Sequence, residues 1–421
     1  MPQPRIVVIG AGFAGIEVAR GLGRAGLKVA LIDRQNHHLF QPLLYQVATA
    51  ALSPSDIAEP IRKMLRREPS VEVILGEVTG IDPGTRTIVL NGARSIAYDI
   101  LVLATGATHG YFGHDEWESV APGLKTIEDA RRIRSRLLLA FERAEMSEDR
   151  ALQKRLMTIA VIGGGPTGVE LAGSIAELAR YTLSKDFHRI RAETATVLLL
   201  EAAPRILNAF PQDLADYATG KLARLGVTVR TNSAVESIAA HGIVVGGEEI
   251  GTGLTIWAAG VSASPLARML GVPLDRAGRV TVNGDLSVQG LDDVYALGDI
   301  AVAPGPDGKP LPGLAQVAKQ QGVYLGRALA RKIASGETPK PFVFQNRGNT
   351  AIIGRHAAVF DFGWTRMQGW IAWMFWALIH VYLLVGFEHR LLVAVQWLWR
   401  YITYERGSRL IAEQERTAGG E

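Results

Sequence analysis

Apolar residues along the chain fall into short unbroken runs that end in glycine, and helical spacing follows each of the first such runs. "RIVVIGAG" passes into "FAGIEVARGLGRAG", with apolar positions at i, i+3 and i+4, and then into "KVALID", which ends at Asp33. A run without alternation predicts a strand buried on both faces, and strands alternating with helices predict a parallel sheet covered on both sides. The order returns at "TIAVIGGGPTGVELAGSIAELA", and the next strand, "ATVLLLEA", ends at Glu201. Three more buried runs close in glycine: "YDILVLATGA" (Tyr98–Ala107), "GLTIWAAGV" (Gly253–Val261) and "DDVYALGDIA" (Asp292–Ala301). The pattern predicts an α/β fold of two nested Rossmann-like units.

Between and after these units the periodicity changes. "DARRIRSRLLLAFERAEM" (Asp129–Met146) has helical spacing with a charged, solvated face. "VAPGPDGKPLPG" (Val302–Gly313) has turn composition throughout and borders a site mouth. From about 341, "FVFQNRGNTAIIGRHAAVFDFG" reads as strands. Then comes "WIAWMFWALIHVYLLVGF" (Trp370–Phe387), with His380 its one residue that titrates near neutral pH, followed by "EHRLLVAVQWLWRYITYERGSRLI". That tail is open to three readings: a membrane span, a membrane-surface helix pair, or a soluble core or dimer contact.

Composition narrows the chemistry. A chain of 421 residues with 46 glycines suits two or three domains built on tight turns. The net charge of +4, without a basic tract, gives no support for nucleic-acid binding. With no cysteine there is no disulfide, thiolate metal site, iron–sulfur cluster or redox dithiol. Histidines 37 and 38 lack a second cluster at ligand spacing, so packing is expected of them and no metal site. The N-terminus has no signal-peptide pattern, and the catalytic part is expected to face the cytoplasm.

The glycines carry the first chemistry. In Gly10-x-Gly12-x-x-Gly15 the first permits the turn, the second admits a pyrophosphate to the backbone, and the third lets helix and strand pack closely. The anion then sits at a helix N-terminus, and Asp33 accepts from an adenosine ribose. Gly163-x-Gly165-x-x-Gly168 with Glu201 repeats the device, so two dinucleotides are expected, commonly a resident flavin and a nicotinamide that exchanges. A carboxylate at Glu201 favours a free 2′-hydroxyl, and Arg205 is expected to be solvated. Thr105 and Asp299 lie where strands end and the backbone can approach a cofactor.

These residues resemble the flavoprotein superfamily with two nested dinucleotide-binding domains, the disulfide-reductase-like enzymes, over about residues 5 to 335. Members that use cysteines are excluded by composition, which leaves a quinone, a small electron carrier or oxygen as acceptor. "NHHLFQPLLYQVATAAL" (Asn36–Leu52), the Ala315-Gln316-x-Ala318-x-Gln320 helix and the apolar tail make the chain resemble, end to end, the type II non-proton-pumping NADH:quinone oxidoreductases. The resemblance implies FAD held by Gly10, Ala11, Gly12, Phe13, Ala14, Gly15, Asp33, Val78, Ala104, Thr105, Gly106, Asp299, Gln316 and Val317. It implies NADH held by Gly163, Gly165, Gly168, Glu170, Glu201, Ala259 and Gly260, and catalytic roles for Glu170, Gln316 and Gln320. Glu170 is expected on the first helical turn after the glycines, pointing toward the flavin–nicotinamide stack. A respiratory homodimer on the cytoplasmic membrane surface follows from the same resemblance.

The expected domains are FAD-binding over 1–115 and 275–335, a connector helix over 116–154, NADH-binding over 155–270, and strands with amphipathic helices over 341–421. A quinone dissolved in a bilayer requires a site open to the membrane, which favours the surface helix pair over a span. Trp370, Trp373, Trp376, Trp397, Trp399, Tyr401 and Tyr404, with Arg400, Arg406 and Arg409, are residue types that prefer headgroups. The rival functions are a soluble NADH-dependent reductase of an electron-carrier protein, a flavin redox sensor with little turnover, and an NADH oxidase.

Overall fold

The computed structural model describes residues 3–306, 308–384, 387–403 and 407–411. Tyr404 and Arg406 lie outside the described residues, as do Val385 and Gly386 of the apolar run, and the side chains of Arg400 and Tyr401 are not described. The chain divides into two compact units. One takes the chain up to Leu39, Ala58–Thr108 and Val261–Arg347; the other takes Phe40–Ile57, His109–Gly260 and the described residues from Gly348 on.

The first unit is built on a five-stranded parallel sheet in the order Val294–Ala296, Ile100–Leu103, Ile6–Ile9, Val29–Asp33, Val71–Leu75. All four residues of Ile6–Ile9 and of Ile100–Leu103 are buried, as apolar runs without alternation require. Helix Gly15–Arg24 follows the first strand and packs along helix Ala315–Ser335. Glycines permit that approach: a methyl on Gly322 would overlap the Ala14 carbonyl, and one on Gly21 would stand 3.1 Å from the Gly326 Cα. A three-stranded antiparallel sheet, Val78–Asp82, Thr87–Leu90 and Arg94–Ala97, completes the unit.

In the second unit four parallel strands run in the order Val227–Arg230, Thr196–Leu200, Thr158–Ile162, Leu254–Trp257. Its antiparallel partner sheet is Val235–Ala239, Gly242–Val245 and Glu248–Gly251. The expected amphipathic helix runs Ile127–Met146. It starts two residues earlier than its apolar spacing suggests because Thr126 and Asp129 form a capping box. With helix Arg150–Leu156 it belongs to this unit and does not stand apart as a connector.

Residues 109–115 lie in the second unit and 261–270 in the first, against the expected boundaries, and two longer segments also sit differently. Residues 40–57 leave the first unit because Phe40, Leu43, Leu44, Tyr45 and Val47 are buried and their short helix, Leu44–Ala48, packs on helices Ile127–Met146 and Pro166–Glu177. Residues from Gly348 join the second unit because strand Asn349–Gly354 lies on helix Pro166–Glu177, where a methyl on Gly173 would overlap the Ile353 carbonyl. That strand pairs with Ala357–Asp361 and then Arg366–Gln368. The residues 341–348 expected as strand form no helix and pair in no sheet.

The tail forms two helices, Gly369–Leu383 and Phe387–Thr403. The first has 15 residues, about 22 Å of helix against a hydrocarbon core of roughly 30 Å. Among the described residues no helix is long and apolar enough to cross a membrane.

Candidate functional site

The two glycine turns are the same device built twice. In the first, the Gly10 N–H donates to Ile32 O at 2.8 Å and the Ala104 N–H to Ile9 O at 2.8 Å, so three strand ends are tied to one turn. Gly10 has φ +96°, and a methyl there would overlap the Ala104 carbonyl; one on Gly15 would overlap the Gly10 carbonyl. Asp33 completes the turn, accepting from the Ala11 N–H at 2.6 Å and the Gln35 N–H at 2.8 Å. In the second, Gly163 donates to Leu200 O at 2.7 Å and Ala258 to Ile162 O at 2.7 Å. Glu201 accepts from Gly164 at 2.6 Å and Ala203 at 2.8 Å. Gly163, at φ +110°, lies against the Ala258–Ala259 peptide, and Gly168 against the Gly163 carbonyl.

Each turn keeps its middle glycine open. A methyl on Gly12 would meet nothing nearer than the Ala104 carbonyl at 4.0 Å, and one on Gly165 would meet nothing within 4 Å. An anion can approach these backbones at the start of a helix, where free N–H groups and the dipole favour it. In the first cradle the buried Thr105 hydroxyl has no hydrogen-bond partner, and the Asp299 carboxylate makes no side-chain hydrogen bond among the described residues. An orphaned donor beside a free carboxylate and an open glycine backbone fits a polar, phosphate-bearing cofactor.

Ala11, Ala14, Val78, Ala104 and Val317 are buried in the core behind that cradle. Phe13 meets His38 edge-on at 5.1 Å, and the His38 Nδ1 lies 2.9 Å from Ala11 O. His38 therefore packs and braces the turn, and burial holds its pKa down. In the second cradle Ala259 and Gly260 follow strand Leu254–Trp257; a methyl on Gly260 would press on the Phe112 ring at 2.8 Å. Arg205 donates to Asn208 O at 3.0 Å, and its Nη1 is buried without a partner, so it is not the solvated arginine expected.

Gln316 and Gln320 both lie on helix Ala315–Ser335 and both bond to backbone. Gln320 donates to Gln345 O at 2.9 Å and accepts from Gln345 N at 3.0 Å, while Gln316 accepts from the Arg347 N–H at 3.1 Å. They clamp the segment around Gln345 and Arg347 at the end of the first unit. The glutamine that sequence reasoning missed is the next one, Gln321. It is 1% exposed and accepts the Gly298 N–H at 2.8 Å, fixing the turn that presents Asp299. Its signal was helical spacing: Val317, Gln321 and Leu325 share the buried face.

Glu170 lies in the other unit. It is the fifth residue of helix Pro166–Glu177, so it stands on the second turn and not on the first as expected. Its Oε1 accepts a long 3.5 Å bond from the Ile352 N–H, and burial pushes its pKa up to about 8. The surface it retains faces an apolar cavity of about 610 Å³. Tryptophans 370, 373, 376 and 397 wall this cavity on one side, and Tyr45, Gln46, Ser174 and Glu177 lie on the other. Gln46 accepts from the Trp397 indole N–H at 3.0 Å, tying the second tail helix to the Leu44–Ala48 helix. His380 is 7% exposed, stacks on Trp376 at 4.3 Å, and is held neutral by burial, its pKa lowered to about 4. The positions of the helix pair that do not line the cavity stay apolar and open: Ile371 is 52% exposed, Leu391 56% and Trp399 60%.

Residues 4–322 match the family described as pyridine nucleotide-disulphide oxidoreductase, and residues 346–404 match the NDH2 C-terminal domain. The chain is 41% identical to the type II NADH:quinone oxidoreductase NdhA of Mycobacterium tuberculosis, over 97% of this chain and 90% of that protein. It is 31% identical to the mitochondrial internal alternative NAD(P)H-ubiquinone oxidoreductase A1 of Arabidopsis thaliana, over 95% of this chain and 84% of that protein. Its fold superposes on NDH2 of Plasmodium falciparum, solved in complex with NADH, at TM-score 0.90 and 20% identity, covering 98% of this chain and all of that one.

Proposed function

Because the chain belongs to the type II NADH:quinone oxidoreductase family, we propose that its two cradles and its cavity divide one electron transfer among them. The enzyme oxidises NADH and reduces a quinone to quinol without pumping protons. FAD is assigned to the first cradle: Gly10 to Gly15 take its pyrophosphate, Asp33 its adenosine ribose, and Ala104 to Gly106 with Asp299 its remaining polar edge. Gln316 and Val317 lie at the start of the helix alongside, and Val78 lies behind. Bound there, FAD supplies the capacity to accept a hydride as an electron pair and to release it to a quinone. The orphaned Thr105 hydroxyl and the open Gly12 backbone support that assignment.

NADH is assigned to the second cradle, with its pyrophosphate at Gly163, Gly165 and Gly168, its ribose at Glu201, and Ala259 and Gly260 beside it. The negative Glu201 repels a 2′-phosphate, which favours NADH over NADPH. Glu170 shares the helix that starts at this cradle.

One observation carries the quinone half. Helix Pro166–Glu177 begins at the nucleotide turn and runs on to form the wall of an apolar cavity, whose opposite wall is the aromatic tail. An apolar ring with a hydrophobic tail fits that lining. Glu170, protonated near neutral pH, can hold a proton on its carboxyl for a quinone oxygen. The open apolar positions of the helix pair support a peripheral seat on a membrane surface, with the helices lying in the interface, and we assign that seat to the cytoplasmic face. A homodimer is the assembly we expect of a member of this family.

The test is purified enzyme given NADH and a short-chain quinone. Fast turnover with little oxygen consumption is expected. Reduction of a carrier protein alone, with no quinone reduction, would overturn the proposal in favour of a soluble reductase.

A further inference from the structure

The reaction NADH + H⁺ + quinone → NAD⁺ + quinol draws one proton per turnover from outside the reactants. Two electrons and one hydrogen nucleus arrive as the hydride; the second proton of the quinol comes from solvent. A cavity walled by tryptophan, methionine, leucine and valine offers few groups that can carry it. Two carboxylates line it, Glu170 and Glu177, and both lie on helix Pro166–Glu177.

The spacing on that helix makes a stripe. Glu170, Ser174, Glu177 and Tyr181 are separated by four, three and four residues, so successive side chains are neighbours on one face, about 5–6 Å apart at Cβ, and all four line the cavity. Accessibility grows along it. Ser174 is buried, Glu177 is half-buried, and Tyr181, on the π-helical turn Leu178–Thr182 that continues the helix, is 44% exposed. The Ser174 hydroxyl is held 2.8 Å from that of Thr49, which itself donates to Tyr45 O at 2.9 Å.

The geometry points to Glu177, through Ser174, as the group that reloads Glu170 with a proton from the surface after each quinone reduction. This rests on the quinone occupying the cavity. Burial favours the neutral form of Glu170, so it starts a turnover loaded. Once it has given its proton it is a charged group in an apolar wall, and the driving force for refilling it is the desolvation cost of that charge. Glu177 sits toward the exposed end, where its Oε1 accepts the Arg355 N–H. The other titratable or charged residues that line the cavity are Tyr45, Tyr181 and Arg355. None of these is a carboxylate, and His380 and His356 on the neighbouring elements are both shifted toward the neutral form by burial.

Glu177→Gln separates relay from scaffold, because the amide oxygen still accepts from Arg355 while the proton site is gone. With NADH-reduced enzyme mixed with a short-chain quinone, the first turnover of E177Q is expected within about twofold of wild type. At saturating NADH and quinone, steady-state turnover is expected to fall about tenfold, with a larger solvent deuterium isotope effect. Acetate or imidazole is expected to restore it in part, and thermal melting is expected to match wild type. An unchanged steady state, or equal loss in both phases, would overturn the relay. Glu170→Gln is the control for the underlying assignment. If it slows the first turnover and E177Q has no effect, only the relay fails; if it leaves the first turnover untouched, quinone is not reduced in this cavity.

Discussion

At the scale of single residues, the decisive groups are polar side chains placed where apolar ones would be expected. Glu170 has its pKa pushed up to about 8 by burial. A carboxyl raised in the folded state contributes stability that is complete below its unfolded pKa and is lost as pH rises through the folded one. Wild type is therefore expected to lose stability relative to Glu170→Gln between about pH 4.5 and 8, on the order of 5 kcal/mol. Urea unfolding of both proteins at pH 5 and pH 8.5 measures this, and parallel stabilities would contradict it. Gln321→Ala leaves the Gly298 N–H without its acceptor, and a loss of about 1–3 kcal/mol is expected, with weaker FAD retention on gel filtration. Gln320→Ala releases Gln345 from both its bonds and is expected to lower quinone turnover while sparing reduction of the flavin by NADH. Equal loss of both half-reactions would refute that. Such roles were only partly legible in the sequence. Gln316 and Gln320 stand out by spacing, but their backbone partners, Arg347 and Gln345, lie far along the chain, and no local pattern names them. Glu177 was missed because reading stopped at Glu170; two more turns along the same helix would have found it.

At the scale of elements, strands buried on both faces were the most legible part, because an unbroken apolar run ending in glycine has few other uses. The fate of residues 40–57 was not legible. Their apolar side chains require burial, but the helices that bury them, Ile127–Met146 and Pro166–Glu177, follow much later in the chain. Residues 341–348 were misread as strand for a related reason: glutamine amides satisfy the backbone of Gln345 and Arg347 as a sheet partner would. Helix Ala315–Ser335 holds the first cradle by lying against helix Gly15–Arg24, and Gly322 sets the distance. Gly322→Ala forces a methyl against the Ala14 carbonyl; an overpacking cost of about 1–3 kcal/mol is expected, read as a lowered Tm with early loss of FAD absorbance. A melting curve and absorbance profile like wild type would show that the helices can part without disturbing the cradle.

At the scale of the whole molecule, we assign the two glycine cradles to nucleotides and the aromatic cavity to the quinone. The tail was the least legible part, since the same apolar letters spell a span, an interfacial helix or a core. The end of the first helix at Leu383 decides the form, because a helix of 15 residues is too short to span. Alkaline carbonate is accordingly expected to wash the protein from membranes at least in part; complete retention would contradict an interfacial seat. The cavity as the place where quinone is bound is the claim on which the rest turns, and a photoreactive azidoquinone tests it most directly. Illuminated with the holoenzyme and mapped by peptide mass, it is expected to label residues 45–51, 352–355 and 370–398, competed by unlabelled quinone. Competed labelling confined to other parts of the chain would contradict the account.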